Sequence, residues 1–163
     1  MSTSKNVFIS HHHKDDEAVT NFTSLLAGKD YNIRNSSIRI KEKNKERLKK
    51  NLIPRKILER LLSMKMKWAG TVVVLIGSQT ASRDWVNWEI EEAARQGKRI
   101  VGVFMHGAKD SDIPENLEKY RDGLVGWNSE KIISALDGED VGWCNSSGEP
   151  KTPTYYVKRI DCQ

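Results

Sequence analysis

Cysteine is scarce in this chain. Cys144 and Cys162 are its two thiols, both late and without a CxxC pair. That excludes a disulfide framework and a zinc ribbon, and fits reduced thiols in a cytoplasmic protein. Long apolar runs are missing as well. The longest, Val72 to Ile76, is far short of the roughly 20 residues of a membrane-spanning helix. The N-terminal stretch MSTSKNVFIS has no basic segment followed by an apolar one, so a secretory signal is not expected. No GxGxxG or GxxxxGK[ST] loop occurs, which removes the dinucleotide fingerprint and the P-loop. No GxSxG elbow supports a serine hydrolase.

The 163 residues suit one domain with a sizeable core, and 37% hydrophobic with 30% charged residues is an ordinary globular composition. The formal net charge of +5 is uneven. Residues 34 to 56 hold ten Lys/Arg and two Asp/Glu, a local +8, so the rest of the chain is at −3. A solvated basic loop and helix start explain this; so do an anionic ligand, an acidic partner or nucleic acid. Nucleic acid ranks last. Tyr31 stands just before the segment, no aromatic lies within it to stack on bases, and no zinc-finger, RRM or KH signature is present.

Residues 5 to 10 read as a short buried strand. Asp15 or Asp16 can cap a helix in which Val19, Phe22, Leu25 and Leu26 recur, ended by Gly28. Residues 31 to 40, with Ile33, Ile38 and Ile40, predict a weaker second strand with a loop at Asn35-Ser36-Ser37. Pro54 suits the first turn of a helix with Ile57, Leu58, Leu61 and Leu62 as its apolar stripe. Thr71 to Ile76 lacks polar alternation and so predicts a strand buried on both faces of a parallel sheet. A helix from about Arg83 to Arg95 follows, with Ser82 as N-cap, then a strand from Arg99 to Phe104. A helix over Asp112 to Tyr120, opened by Pro114, and one carrying Ile132, Ile133 and Leu136 complete the pattern. Val125 to Trp127 is too short to assign. The predicted domain is residues 1–137, with a loop-rich tail at 138–163 packed on it.

Alternating strands and helices predict an α/β domain with a mostly parallel sheet. In a flavodoxin-like strand order ligands bind between the carboxyl ends of the first and third strands. The loops there are His11-His12-His13-Lys14-Asp15-Asp16 and Gly77-Ser78-Gln79-Thr80-Ala81-Ser82. Three successive histidines cannot all face one metal from an extended segment, and His106 is the only other His. They read as a polar turn with one or two lining a pocket, and no metal site is assigned. A flavodoxin phosphate loop would place small residues where these histidines stand. A phospho-receiver would end its third strand in Asp, where this chain has Ile76-Gly77-Ser78.

With Ser82 as N-cap, Val86, Ile90, Ala93 and Ala94 share one helix face, and Trp85, Trp88 and Glu89 the neighbouring one. A carboxylate beside two indoles thus stands near the predicted crevice. By pattern alone, a surface Glu with packing tryptophans is the leading reading. "VFISHHHKDD" followed by "VVVLIGSQTASRDWVNWEI" resembles the TIR and TIR-like domains. Within these it is most similar to the prokaryotic branch that includes the nucleotide-signalling subunit of Thoeris antiphage defence. The family's first strand ends in FISY or a similar run, and its third strand leads into S-x-W-[VC]-x-x-E-[IL]. Here the latter is Ser82-Arg83-Asp84-Trp85-Val86-Asn87-Trp88-Glu89-Ile90, with two residues between Ser82 and Trp85. The resemblance covers residues 5 to 137. The basic stretch before Pro54 departs from the family's Gly/Pro-rich loop.

The resemblance implies a five-stranded TIR fold and cleavage of the nicotinamide–ribose bond of NAD, with NAD as substrate and no cofactor. It implies Glu89 as the catalytic residue, since nicotinamide leaves as a neutral molecule and only an oxocarbenium-like ribose needs stabilising. Ser10, His11, His12, Ser78 and Trp85 are the expected substrate-binding residues. A protonated His, titrating near about pH 6.5, would favour phosphate. The implied product is an ADP-ribose-derived signal, hydrolysed, conjugated or cyclic, read by a separate effector. Infection by phage is the implied trigger and a homo-oligomer the implied assembly. A non-catalytic TIR adaptor, a nucleoside deoxyribosyltransferase-like enzyme and a nucleic-acid binder are the competing classes. They predict, in turn, no NAD turnover, activity on nucleosides, and salt-dependent binding through residues 34 to 56.

Overall fold

The structure, a computed structural model, describes residues 3–11, 16–35, 54–78, 84–139, 142 and 144. Five strands form one sheet: β1 (Thr3–Ser10), β2 (Tyr31–Asn35), β3 (Thr71–Ile76), β4 (Arg99–Phe104) and β5 (Gly123–Val125). Their order is β2-β1-β3-β4-β5, and every pairing is parallel. This is the flavodoxin-like arrangement, with all strands parallel where the sequence predicted most. Among the described residues α1 (Asp16–Ala27), α2 (Arg55–Lys67), α3 (Asp84–Arg95) and α4 (Glu115–Tyr120) lie between the strands, and α5 (Ser129–Leu136) follows β5.

Strand alternation divides the core into two layers. Phe8, Val72, Val74, Ile76, Ile100 and Phe104 face α2, α3 and α4. Val7, Ile9, Val73, Leu75, Val101 and Val103 face α1 and α5. All six residues of β3 are buried, as a central parallel strand with helices on both faces requires. Gly102 lets α4 sit close. A Cβ there would lie 2.7 Å from Leu124 Cδ1 and 2.9 Å from Leu117 Cδ2. Arg99 reaches across to the end of α5, donating to the Ala135 and Glu139 carbonyls at 2.8 and 2.7 Å. The Ala135 carbonyl also accepts from Gly138 N–H at 3.2 Å, so Arg99 adds a bond to the end of the helix and to the turn beyond it.

Several boundaries differ from the sequence expectation. β1 starts at Thr3 and β2 ends at Asn35. Residues 36–40, given to the second strand above, lie outside the described residues, as do Asp15, Ser82 and Arg83. Asp110–Asp112 is a 3-10 turn, and α4 begins only after Pro114. β5 (Gly123–Val125) departs from the sequence expectation and meets the unassigned stretch Val125 to Trp127 only at Val125. Just beyond the expected domain boundary, Leu124 N–H donates to the Gly142 carbonyl at 3.2 Å and Cys144 N–H to the Leu124 carbonyl at 2.9 Å, extending hydrogen bonding past β5. The apolar stripe expected on α2 is split. Leu62 and Met66 are buried, whereas Ile57 and Leu61 are exposed. No helix among the described residues is long and apolar enough to cross a membrane.

Candidate active site

The chain leaves β1 toward β2 on one side, and β3, β4 and β5 lie on the other. The switch in strand order therefore falls between β1 and β3, with Ser10 paired to Val74 at its mouth. Ser10 is two residues from Phe8 and so points to the same face of the sheet, toward α3. It is fully buried, and among the described residues its Oγ has no hydrogen bond of good geometry.

The group across from it is Glu89. Val86, Ile90 and Ala93 anchor α3 on the sheet, and this sets Glu89 one step round the helix, partly buried, at the β1 end. Burial pushes its carboxyl up from 4.5 to about 8, and the Ser10 hydroxyl, near enough to favour the carboxylate, pulls it partly back. A carboxyl raised this far by burial, with a buried hydroxyl beside it, is the chemical feature of the site.

The other expected residues are placed unequally. His11 is partly buried at the end of β1, with Nδ1 3.4 Å from the Ile9 carbonyl. His12 lies outside the described residues. Ser78 is exposed after β3. Trp85 is partly buried one turn before Glu89, in edge contact with Trp88 at 5.8 Å. Arg55, from the first turn of α2, stacks over the Trp85 ring 4.5 Å from its centroid. Nothing in the sequence pattern pointed to Arg55, because it sits 30 positions earlier in the middle of a basic run. Asn116 of α4 also holds α3, its Nδ2 donating to the Asn87 carbonyl at 2.9 Å. Among the described residues no three His, Cys, Asp or Glu side chains group as metal ligands.

Sheet order and the helices flanking the sheet define the flavodoxin-like α/β fold of TIR domains. Comparison with known proteins takes the assignment further. The family described as "Thoeris protein ThsB, TIR-like domain" matches residues 8–110, well over half of the chain. The chain belongs to that family. It is also similar to a protein of Bacillus cereus (strain MSX-D12) named "Putative cyclic ADP-D-ribose synthase ThsB1", at 38% identity over 53 residues. That match spans 32% of this chain and 28% of the relative.

Proposed function

We propose that this domain cleaves the bond between nicotinamide and ribose in NAD, with Glu89 as the catalytic residue. The carrying observation is the partly buried Glu89 carboxyl set beside the buried Ser10 hydroxyl at the β1/β3 switch point. In that reaction the C1′–N bond breaks and its electron pair goes to the pyridinium nitrogen, so nicotinamide leaves neutral. No general acid is needed. Positive charge develops on the ribose instead, and an ionised Glu89 beside it stabilises that charge in a site with little water to screen it. The empty site favours the protonated form, so the cationic nicotinamide ribosyl group releases the proton on binding. Ser10 then donates to the carboxylate and holds its orientation. Trp85, His11, His12 and Ser78 complete the binding of base, ribose and phosphates.

The name of the Bacillus cereus relative supports closure of the ribosyl cation by an acceptor within the same molecule, giving a cyclic ADP-ribose. Membership in the Thoeris family supports a defence role in which a separate effector reads that product and phage infection triggers its synthesis. The test is chromatography of NAD incubated with the pure protein and with Glu89→Gln, repeated with lysate from infected cells. Nicotinamide released only by the unsubstituted protein supports the reading, and the second product names the acceptor. No release under any condition overturns it. A non-catalytic interaction module is the second reading, favoured by the apolar residues exposed on α2. It predicts no turnover and an assembly that Glu89→Ala leaves intact.

A further inference from the structure

The outer face of α2 reverses the usual distribution of side chains. Ile57, Leu61, Met64 and Trp68 are 57, 43, 59 and 76% exposed. Their spacing of four, three and four residues puts them on one line along the helix, opposite Leu62 and Met66, which hold it to the sheet. That spacing is the a/d seam of a coiled coil, with Ile57 and Met64 at d and Leu61 and Trp68 at a. The positions bordering such a seam are e and g. Here they include Lys65 on one side and Arg60 and Lys67 on the other, all exposed. None of these three is in an ion pair among the described residues. The one acid of α2, Glu59, is held by Arg55 at 3.1 Å.

We propose that this face of α2 is a docking surface for a partner protein that presents an acidic amphipathic helix, an apolar seam edged with Glu or Asp. Charges at e and g decide which helices pair, and a cationic border selects an anionic one. A second copy of this chain docking through the same face would set these cations against their own kind, which disfavours a two-fold dimer. A membrane surface asks for a broad apolar face, whereas this seam is one side chain wide. The basic character runs on through residues 34 to 56, adding long-range attraction for an acidic partner.

The inner side of the same helix is tied to α3. Arg55 stacks on Trp85, and Ser63 donates to Glu92 at 2.9 Å while accepting from Gln96 at 3.1 Å. A partner seated on α2 therefore lies one helix away from Glu89. The docking itself does not depend on NAD chemistry.

The probe is a labelled synthetic helix with Leu at a and d and Glu at e and g, titrated with the full chain and followed by fluorescence anisotropy. A matched peptide with Lys at e and g is the control. The acidic peptide should bind, weaken with added salt, and outbind the Lys peptide by about tenfold or more. The double variant Leu61→Glu/Trp68→Glu should lose binding by a similar factor while melting at an unchanged temperature. Glu89→Gln should bind like the parent, which separates this proposal from the catalytic one. Three results would overturn it: no binding of the acidic peptide, equal binding of both peptides, or binding that survives the double variant. Tighter association with phosphatidylserine vesicles than with the acidic peptide would replace the partner with a membrane. Self-association abolished by the double variant would replace it with a second copy.

Discussion

α2 and α3 lie side by side on one face of the sheet and break the inside–outside rule in opposite senses. α3 turns a carboxyl inward, and α2 turns four large apolar side chains outward. Each arrangement costs stability, by desolvation of Glu89 in one case and by hydration of apolar surface in the other. Two adjacent violations, on helices joined by Arg55–Trp85 and Ser63–Glu92, are most simply read as one site for chemistry and one for contact. α3 also carries its own control. Glu92 is buried as well, but its carboxylate is satisfied by Ser63 at 2.9 Å, Arg95 at 2.7 Å and Gln96 at 3.2 Å. Glu92 thus has three hydrogen-bond partners among the described residues, whereas the Glu89 carboxylate is favoured by Ser10.

That contrast can be broken most sharply at Glu89. Glu89→Gln keeps the shape of the side chain and removes its charge, so nicotinamide release should fall by about 10²–10³-fold. Unchanged release would move the chemistry elsewhere. At Glu92 the effect should fall on stability. Glu92→Ala leaves the Ser63 hydroxyl without its acceptor and Arg95 without its ion-pair partner, and should lower unfolding free energy by about 1–3 kcal/mol in denaturant melts. A neutral result would mean that water replaces the carboxylate freely.

The same pair separates again with pH. Between pH 4.5 and about 8 the folded protein keeps a proton on Glu89 that the unfolded chain has released. Stability from this group is therefore full below that window and is lost as pH rises through it, by up to a few kcal/mol. Glu89→Gln should flatten the decline and melt higher than the parent at pH 8 and above. The smallest effect belongs to α2. Leu61→Glu replaces an exposed side chain and should change stability by no more than about 0.5 kcal/mol. A large loss would show that the seam is covered within the chain itself.

The parallel core was legible because β3 is a continuous apolar run and α3 repeats its apolar residues every third or fourth position. The position of Glu89 followed from that periodicity, and its significance from the motif around it. Other features were hidden for physical reasons. β5 is three residues long and is defined by pairing with β4, which is a long-range property. On α2, Ile57, Leu58, Leu61 and Leu62 count as one apolar stripe by residue type. Two sets of apolar residues share that helix, and only packing decides that Leu62 and Met66 face the sheet while Ile57 and Leu61 face water. The stacking of Arg55 on Trp85 joins positions in separate elements, beyond the reach of any local pattern.

The most direct test of the Glu89 site is the rate of nicotinamide release from NAD at limiting concentration, followed across pH. Ionised Glu89 as the working form predicts kcat/KM that rises with pH, breaks near the free-site value of about 8 and is flat above it. In the substrate complex the pyridinium charge should move the break in kcat to lower pH. The rise should vanish with Glu89→Gln. A pH-independent rate, or one that Glu89→Gln preserves, would contradict the assignment of this carboxyl as the centre of the reaction.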